Sequence, residues 1–169
     1  MFQHILLATD FSEASEGAFR VATALARTHA ARLTVLYVYE VSAQTLAGTP
    51  EEEAERTWPG PIRVRELLDC LVTGLRATGL PTDGVIRFGR ASRLIAEVAR
   101  TKRVDMVVTG THGHSGLARL WHGSVAEEVL RRSSAPVLAV PMGSNNVIGI
   151  RSGRRALAVV PPWLSRPSS

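Results

Sequence analysis

The sequence predicts an α/β fold in which an open parallel sheet is covered by helices on both faces. Short apolar runs alternate along the chain with segments whose apolar residues recur at helical spacing, the pattern of strand–helix–strand units. The apolar runs lack polar–apolar alternation, as expected for strands buried on both faces. With 169 residues, 45% of them hydrophobic, the chain is long and apolar enough to form one core.

Five apolar runs are predicted to be strands. Each is short, consists mainly of aliphatic side chains, and is separated from the next by a helical pattern or a polar segment. They comprise residues 5–9, 33–38, 85–88, 106–109 and 136–140.

Four helices are predicted between these strands. Ser12 and Ser92 are placed to cap the first and third helices, and Gly79 with Pro81 ends the second. The fourth helix is Val125–Arg132. The apolar stripes of the first three helices are, in order, Ala14, Ala18, Val21, Ala22 and Leu25; Val64, Leu68, Leu71 and Leu75; and Leu94, Ile95, Val98 and Ala99.

Two segments fall outside this pattern. Residues 44–61 are polar and rich in proline, which predicts a loop with at most a short acidic helical turn. Residues 143–169 are predicted to form a basic, partly irregular tail after a domain of residues 1–142, with room for a short added strand from Leu157 to Val160. Most of the net charge of +5 comes from four arginines of this tail. Four arginines make a weak electrostatic footprint, so we do not expect nucleic acid as a partner.

The composition also limits which cellular compartment and which cysteine chemistry are expected. No apolar stretch approaches the ~20 residues that span a bilayer, and the N-terminal residues lack the pattern of a signal peptide. We therefore expect a cytoplasmic protein without a membrane segment. The single cysteine, Cys70, excludes an internal disulfide and a cysteine metal cluster. It lies within the apolar spacing of the second helix, where we expect a buried structural thiol.

The segment of residues 110–124, GTHGHSGLARLWHGS, is the most informative about function. It follows a predicted strand and leads into a capping box, Ser124 to Glu127, that opens the fourth helix. Backbone N–H groups at such a helix end are unpaired and carry partial positive charge, which suits a phosphate. Gly110, Gly113 and Gly123 carry no Cβ, so the backbone can approach a ligand closely. The segment therefore predicts a phosphate-binding loop.

The position of this loop in the fold points to a second residue. Ligands of open α/β sheets bind beyond the carboxyl ends of the strands, where the strand order reverses. A reversal between the first and fourth strands would bring Asp10 beside Gly110. The pattern of elements does not by itself fix that strand order.

The common phosphate-binding motifs are absent from the loop. It lacks the GK[ST] of a P-loop, and its glycines follow the fourth strand without G-x-G-x-x-G spacing. The spacing G-x2-G-x9-G-S resembles instead the nucleotide-binding signature of the universal stress protein family. The resemblance extends, in matching order over about residues 3–141, to ILLATDFSE, LTVLYV, VDMVVTGTHGHSG and GSVAEEVLRRSSAPVLAVP.

The resemblance implies a fold, a ligand and several contacts. The fold is a five-stranded parallel sheet in the order 3-2-1-4-5, Rossmann-like and of the adenine nucleotide alpha-hydrolase type, and the ligand is ATP. Asp10 resembles the acidic residue that contacts the nucleotide, with Thr9 beside it. Val38 resembles the valine whose backbone meets adenine.

The loop residues are assigned in the same way. Gly110 and Gly113 resemble the ribose and phosphate-loop glycines of the family, whereas Gly123, Ser124 and Val125 resemble the triphosphate contacts. Asp10 and Ser124 also suit local capping, which is compatible with ligand contact.

A Mg²⁺ ion that arrives with ATP uses phosphate oxygens and one carboxylate, for which Asp10 is the candidate. His112, His114 and His122 do not supply enough ligands for a dedicated zinc site. His114 stands where the family often has a basic residue. Arg119 and Arg90 are the remaining candidate cations near the ligand.

These features favour a binding module over an efficient enzyme. No set of residues is spaced for nucleophilic or general acid–base catalysis, so no catalytic residue is predicted. Slow ATP hydrolysis stays open, because Asp10 alone could orient a water. We expect a nucleotide-dependent stress-response or signalling module with a protein partner of unknown identity. The alternatives are a dimeric stress or interaction protein that uses no nucleotide, and an adenylate-handling transferase or ligase, which would need the absent motif SGGxDS.

A homodimer is also expected. The strand from Pro136 to Val140 would lie at a sheet edge in the order 3-2-1-4-5, and an exposed apolar edge favours pairing with a second copy. The resembling family commonly dimerises there. The apolar segment from Leu157 to Val160 is an alternative cover for the same edge.

Overall fold

The computed structural model describes residues 1–40, 61–111, 125–141, 150–152 and 155–157. Strands alternate with helices as far as the fifth strand, and two short strands follow. The strands are β1 (His4–Thr9), β2 (Arg32–Tyr39), β3 (Thr82–Phe88), β4 (Met106–Thr111), β5 (Val137–Pro141), β6 (Ile150–Ser152) and β7 (Arg155–Leu157). The helices are α1 (Glu13–His29), α2 (Pro61–Ala77), α3 (Ala91–Thr101) and α4 (Val125–Arg132). Within the described ranges, no helix combines the length and the apolar character needed to cross a membrane.

The strands form one sheet in the order β3-β2-β1-β4-β5-β6-β7. The first five pair in parallel, which confirms the expected order 3-2-1-4-5. Leu7 of β1 lies between Val35 of β2 and Val108 of β4. All three side chains point to one face and are fully buried. Leu6 and Val107, which point to the other face, are fully buried as well, so the middle of the sheet is covered on both faces.

Each face of the sheet has its own core. Ile5 and Leu7 pack with α1 and α2, whereas Leu6 and Ala8 pack with α3 and α4, because successive strand residues point to opposite faces. This arrangement confirms the prediction of helices on both faces. The helical members of the two cores are Ala18, Ala22, Ala26, Leu68, Val72 and Leu75 on the first face, and Ile95, Val98, Ala99 and Val129 on the second.

β3 begins three residues before the predicted strand. Thr82, Asp83 and Gly84 pair with β2 although they form no apolar run. A Cβ added at Gly84 would lie 2.9 Å from Cγ of Leu68, so the glycine allows α2 to pack closely on this strand. Neighbouring backbone, rather than local composition, therefore sets where β3 begins.

The expectation of a buried thiol at Cys70 is wrong, because Cys70 is exposed. The buried stripe of α2 includes Leu68. Cys70 follows Leu68 by two positions, a rotation of roughly 200° around the helix, and so lies on the opposite side. The prediction failed because it used apolar composition without the helical phase.

Two short strands lie in the segment after β5, where the sequence predicts a partly irregular tail with room for a short added strand. β6 pairs antiparallel with β5, with Arg151 opposite Val137 and Ile150 opposite Leu138, and β7 continues the sheet. β7 begins at Arg155, before the predicted strand from Leu157. The expectation that the strand from Pro136 to Val140 has an open edge is therefore wrong at Val137 and Leu138. The homodimer itself stays a prediction, but it cannot use the edge of these two residues while β6 is in place.

Deletion of residues 143–169 removes β6 and β7 and uncovers the edge of β5. Val137 and Leu138 would then present unpaired backbone groups next to apolar side chains, which favours strand pairing between copies. We expect the truncated protein to have a larger mass by light scattering than the full chain at equal concentration. An identical mass would show that β6 does not protect this edge.

A polar cluster lies at the amino end of the sheet, opposite the carboxyl ends of β1 and β4. Lys102 Nζ donates to Asp83 Oδ2 at 2.8 Å, and Thr34 Oγ1 lies within hydrogen-bond distance of both Asp83 and His4. Partial burial raises the pKa of Asp83, but the hydrogen bond and charge of Lys102 outweigh it, so the pKa is lowered. The folded state therefore favours the ionised form of Asp83, and this ionised carboxylate in turn stabilises the fold.

Asp83→Asn should reduce the free energy of unfolding at pH 7 by about 1–2 kcal/mol. The stabilisation is complete above the unfolded pKa of about 4 and is lost as the pH falls through the lowered folded pKa. Urea denaturation at pH 7, 4 and 3 checks this, with the exposed Asp69→Asn as the control. A stability difference that does not shrink with acid would contradict it.

Candidate functional site

The candidate site lies at the carboxyl ends of β1 and β4. These adjacent parallel strands are in register at Ala8 and Thr109, and the chain runs from β1 toward β2 on one side and from β4 toward β5 on the other. This is the switch point of the sheet. Asp10 follows β1 and Gly110 lies near the end of β4, so the structure brings the two predicted residues to the same edge.

Asp10 is held in a turn that its neighbours build. Its Oδ1 accepts hydrogen bonds from the Ser12 backbone N–H at 2.9 Å and from Ser12 Oγ at 2.6 Å. Ser12 is the N-cap residue of α1, but its side chain makes no capping hydrogen bond. Its hydroxyl is directed to Asp10 instead, so Ser12 holds the predicted N-cap position without a side-chain capping bond. The turn therefore fixes the Asp10 carboxylate at the start of α1.

Thr9, the last residue of β1, makes two further contacts in the same turn. Its Oγ1 accepts the Phe11 backbone N–H at 3.0 Å and lies 3.0 Å from Ser15 Oγ. Phe11 adopts φ 58°, a left-handed conformation that is uncommon for a bulky residue and typical of constrained functional turns. Thr9 thus supports the turn that presents Asp10.

The Asp10 carboxylate is ionised at neutral pH. Partial burial raises its pKa, but the hydrogen bonds from Ser12 and Ser15 outweigh this effect, and the pKa is lowered. The residue is nevertheless exposed to solvent. The site therefore presents a fixed, accessible negative charge, which suits a hydroxyl donor or a cation.

An aromatic cluster packs against this turn through Phe11. Phe11 stacks on Tyr37 with ring centroids 5.5 Å apart, Tyr37 meets Tyr39 edge to face, and Tyr39 stacks on Phe88. Burial raises the pKa of Tyr37, with a further contribution from the Asp10 charge, and burial raises the pKa of Tyr39 to about 12. Both tyrosines are therefore neutral. Sequence analysis missed this cluster, although the alternation Tyr37-x-Tyr39 in a buried strand is a usable signal.

A second polar group lies at the start of α3. Gly89, with φ 137°, turns the chain between β3 and α3, and its N–H donates to the Tyr39 carbonyl at 2.8 Å. Glu40 Oε1 accepts the Ala91 N–H at 3.0 Å, which satisfies a donor of the first turn of α3. Arg90 is the N-cap residue, so the prediction that Ser92 caps this helix is wrong. The buried Ser92 instead donates its hydroxyl to Glu128 of α4.

The remaining predicted contacts divide into two sets. Val38 and Gly110 are half-buried near the ends of β2 and β4, and Val125 is exposed at the first position of α4. These residues border the same edge of the sheet as Asp10. Gly113, Gly123 and Ser124 lie outside the described residues, as do His112, His114, Arg119 and His122. Within the described ranges, no group of three or more His, Cys, Asp or Glu side chains is arranged to hold a metal ion.

Comparison with known proteins places this geometry in a family. The model of the universal stress protein family matches residues 1–141. A universal stress protein of Thermus aquaticus is 34% identical over 143 residues, covering 83% of this chain and 99% of the relative. The solved structure of MJ0577, a universal stress protein of Methanocaldococcus jannaschii, has a TM-score of 0.68 at 27% identity, covering 85% of this chain and 99% of that chain.

A further solved structure is informative about ligands. It is a universal stress protein in complex with cAMP, with a TM-score of 0.65 and 25% identity, and the match covers 84% of this chain and 99% of that chain. The shared sheet order, the match over residues 1–141 and the identity to the Thermus relative agree with one another. This chain belongs to the universal stress protein family.

Proposed function

We propose that this protein is an ATP-binding universal stress protein that acts in the cytoplasm as a nucleotide-dependent stress-response or signalling module. The observation that carries the proposal is the fixed, ionised Asp10 at the same sheet edge as Gly110, at the switch point of the sheet. A carboxylate at this place suits the donors of a ribose or a metal ion bound to phosphate. The glycine leaves backbone accessible next to it.

The class of ligand is supported by a relative. A universal stress protein that is 25% identical to this chain holds cAMP, an adenine nucleotide. In our assignment, the backbone near Val38 meets adenine, Gly110 and Gly113 meet ribose and phosphate, and the N-terminal end of α4 meets the triphosphate. Val125 belongs to this last group, together with Gly123 and Ser124. The unpaired N–H groups at a helix start favour such an anion.

Mg²⁺ is proposed to enter the site with the triphosphate. A carboxylate that stays ionised and exposed is a suitable ligand for this ion, and Asp10 meets both conditions. Phosphate oxygens and water supply the other ligands of such an ion. Asp10 would hold the ion, while Ser12 keeps the carboxylate oriented through Oδ1.

The same geometry supports at most slow ATP hydrolysis. Efficient phosphoryl transfer needs several charges positioned around the transferred group. Among the described residues at this edge, Asp10 is the carboxylate that we assign to the ligand, since Glu40 and Glu128 bond to the start of α3 and the Arg90 guanidinium is paired with Glu128. We therefore propose a protein whose output depends on the bound nucleotide and whose turnover is slow.

Calorimetric titration tests the proposal. We expect one ATP per chain when Mg·ATP is titrated into nucleotide-free protein, with Mg·GTP as a control for recognition of the base. Absence of binding by a folded protein would contradict the proposal. It would favour the alternative of an interaction protein that uses no nucleotide.

A further inference from the structure

A chain of polar contacts crosses the carboxyl edge of the sheet from β2 to α4. It begins at Glu40, directly after β2, which accepts the Ala91 N–H of α3. The two residues that flank Ala91 then both reach Glu128. Arg90 contacts Oε1 at 2.7 Å, and Ser92 Oγ donates to Oε2 at 2.5 Å. One carboxylate thus contacts two side chains at the start of α3, one through each oxygen.

The contacts of Glu128 with Arg90 and Ser92, called the bridge below, are partly buried. The Ser92 side chain belongs to a residue that is 1% exposed, so its hydroxyl needs the partner that Glu128 provides. The Glu128 side chain is 20% exposed, whereas that of Arg90 is 66% exposed. The hydrogen bond from Ser92 lowers the pKa of Glu128, so the carboxylate is ionised at neutral pH. Beneath the bridge, Ile95 and Val129 share one core and hold the two helices together.

The first and last residues of this series of contacts, Glu40 and Glu128, lie close in sequence to residues that we assign to opposite ends of the proposed ligand site. Glu40 lies two residues after Val38, which we assign to the adenine end. Glu128 lies three residues after Val125, within the first turn of α4, which we assign to the triphosphate end. These contacts therefore connect the end of β2 to the first turn of α4 through the start of α3.

We infer that Glu128 is a positioning residue, which, through Ser92 and Arg90, holds the start of α4 at the place where the terminal phosphates of the nucleotide bind. The inference rests on the proposed function. The loss of affinity that it predicts depends on the number of phosphates in the ligand. Loosening α4 should leave the base and ribose contacts in place and weaken the ligand more as phosphates are added.

The test compares AMP, ADP and Mg·ATP on three proteins by calorimetric titration. The variants are Glu128→Ala and Glu127→Ala, which remove the same charge from the first turn of α4. Glu127 pairs with Arg131 of its own helix. Glu128 also pairs with Arg132 of the same helix, so both variants lose a carboxylate and an ion pair within α4, whereas Glu128→Ala also loses the contacts with Arg90 and Ser92. We expect Glu128→Ala to weaken Mg·ATP at least fivefold more than Glu127→Ala does, and to change AMP affinity less than twofold.

The outcomes separate the inference from the proposed function. Equal losses for AMP and Mg·ATP, or equal effects of the two variants, would overturn the positioning role while nucleotide binding stands. A wild-type protein that binds no nucleotide would overturn both. If Glu128→Ala does not fold, Ser92→Ala removes one arm of the bridge and takes its place in the same comparison. Partial recovery of the Mg·ATP affinity in Glu128→Gln, whose amide oxygen still accepts the Ser92 hydroxyl, is also expected.

Discussion

Gly113→Ala and Gly123→Val should each lower the affinity for ATP at least tenfold, about 1.4 kcal/mol of binding free energy. In our assignment, both residues let the backbone approach the phosphates, and a side chain would occupy the space that phosphate needs. The fold should be retained, because both substitutions lie in the sequence between β4 and α4 and leave the described core residues unchanged. Calorimetric titration with Mg·ATP gives the affinities.

Gly74→Ala is the matched control for these variants. Gly74 lies in α2, and a Cβ added there meets no atom within 4 Å. Its ATP affinity should equal that of the wild type. Unchanged affinity in both Gly113→Ala and Gly123→Val would refute the assignment of the loop to the phosphates.

Asp10→Ala should weaken binding of Mg·ATP more than binding of metal-free ATP. The substitution removes the carboxylate that we assign to the ion, and it also removes the acceptor of two hydrogen bonds from Ser12. Asp10→Asn separates these effects, because its amide oxygen still accepts from Ser12 while the charge is lost. Titrations with and without Mg²⁺ give the two affinities of each variant.

The pattern of losses identifies the role of Asp10. A selective loss of Mg·ATP affinity in both variants is the expected result. Equal losses with and without Mg²⁺ would move the contact from the ion to the sugar or the base. Normal binding by Asp10→Asn together with weak binding by Asp10→Ala would leave the carboxylate only its local role in the turn.

The centre of the fold is readable from the sequence because its strands are apolar on both faces. The runs that contain Leu7, Val35 and Val108 require burial on both faces of the sheet, and a parallel sheet between two layers of helices provides it. The strand order came from the family resemblance. The edges were less predictable, because pairing with neighbouring strands, rather than composition, defines β3 at Thr82 and β6 at Ile150.

The site was predictable where a residue type and its place in the fold carried the signal. Asp10 and Gly110 stand at strand ends that the topology joins. The contact of Ser92 with Glu128 joins residues 36 positions apart, so no local pattern contains it. Glu128 fits the solvated face of an amphipathic helix equally well, and only the packing of α3 against α4 gives it two partners.

The nucleotide carried by freshly purified protein tests the central claim most directly. The protein is denatured without added nucleotide, and the released small molecules are separated by chromatography and quantified against the protein concentration. The account predicts ATP or ADP in near-stoichiometric yield, and a much lower yield from Gly123→Val prepared in parallel. No released nucleotide, combined with no binding when Mg·ATP is then supplied to the folded protein, would contradict it.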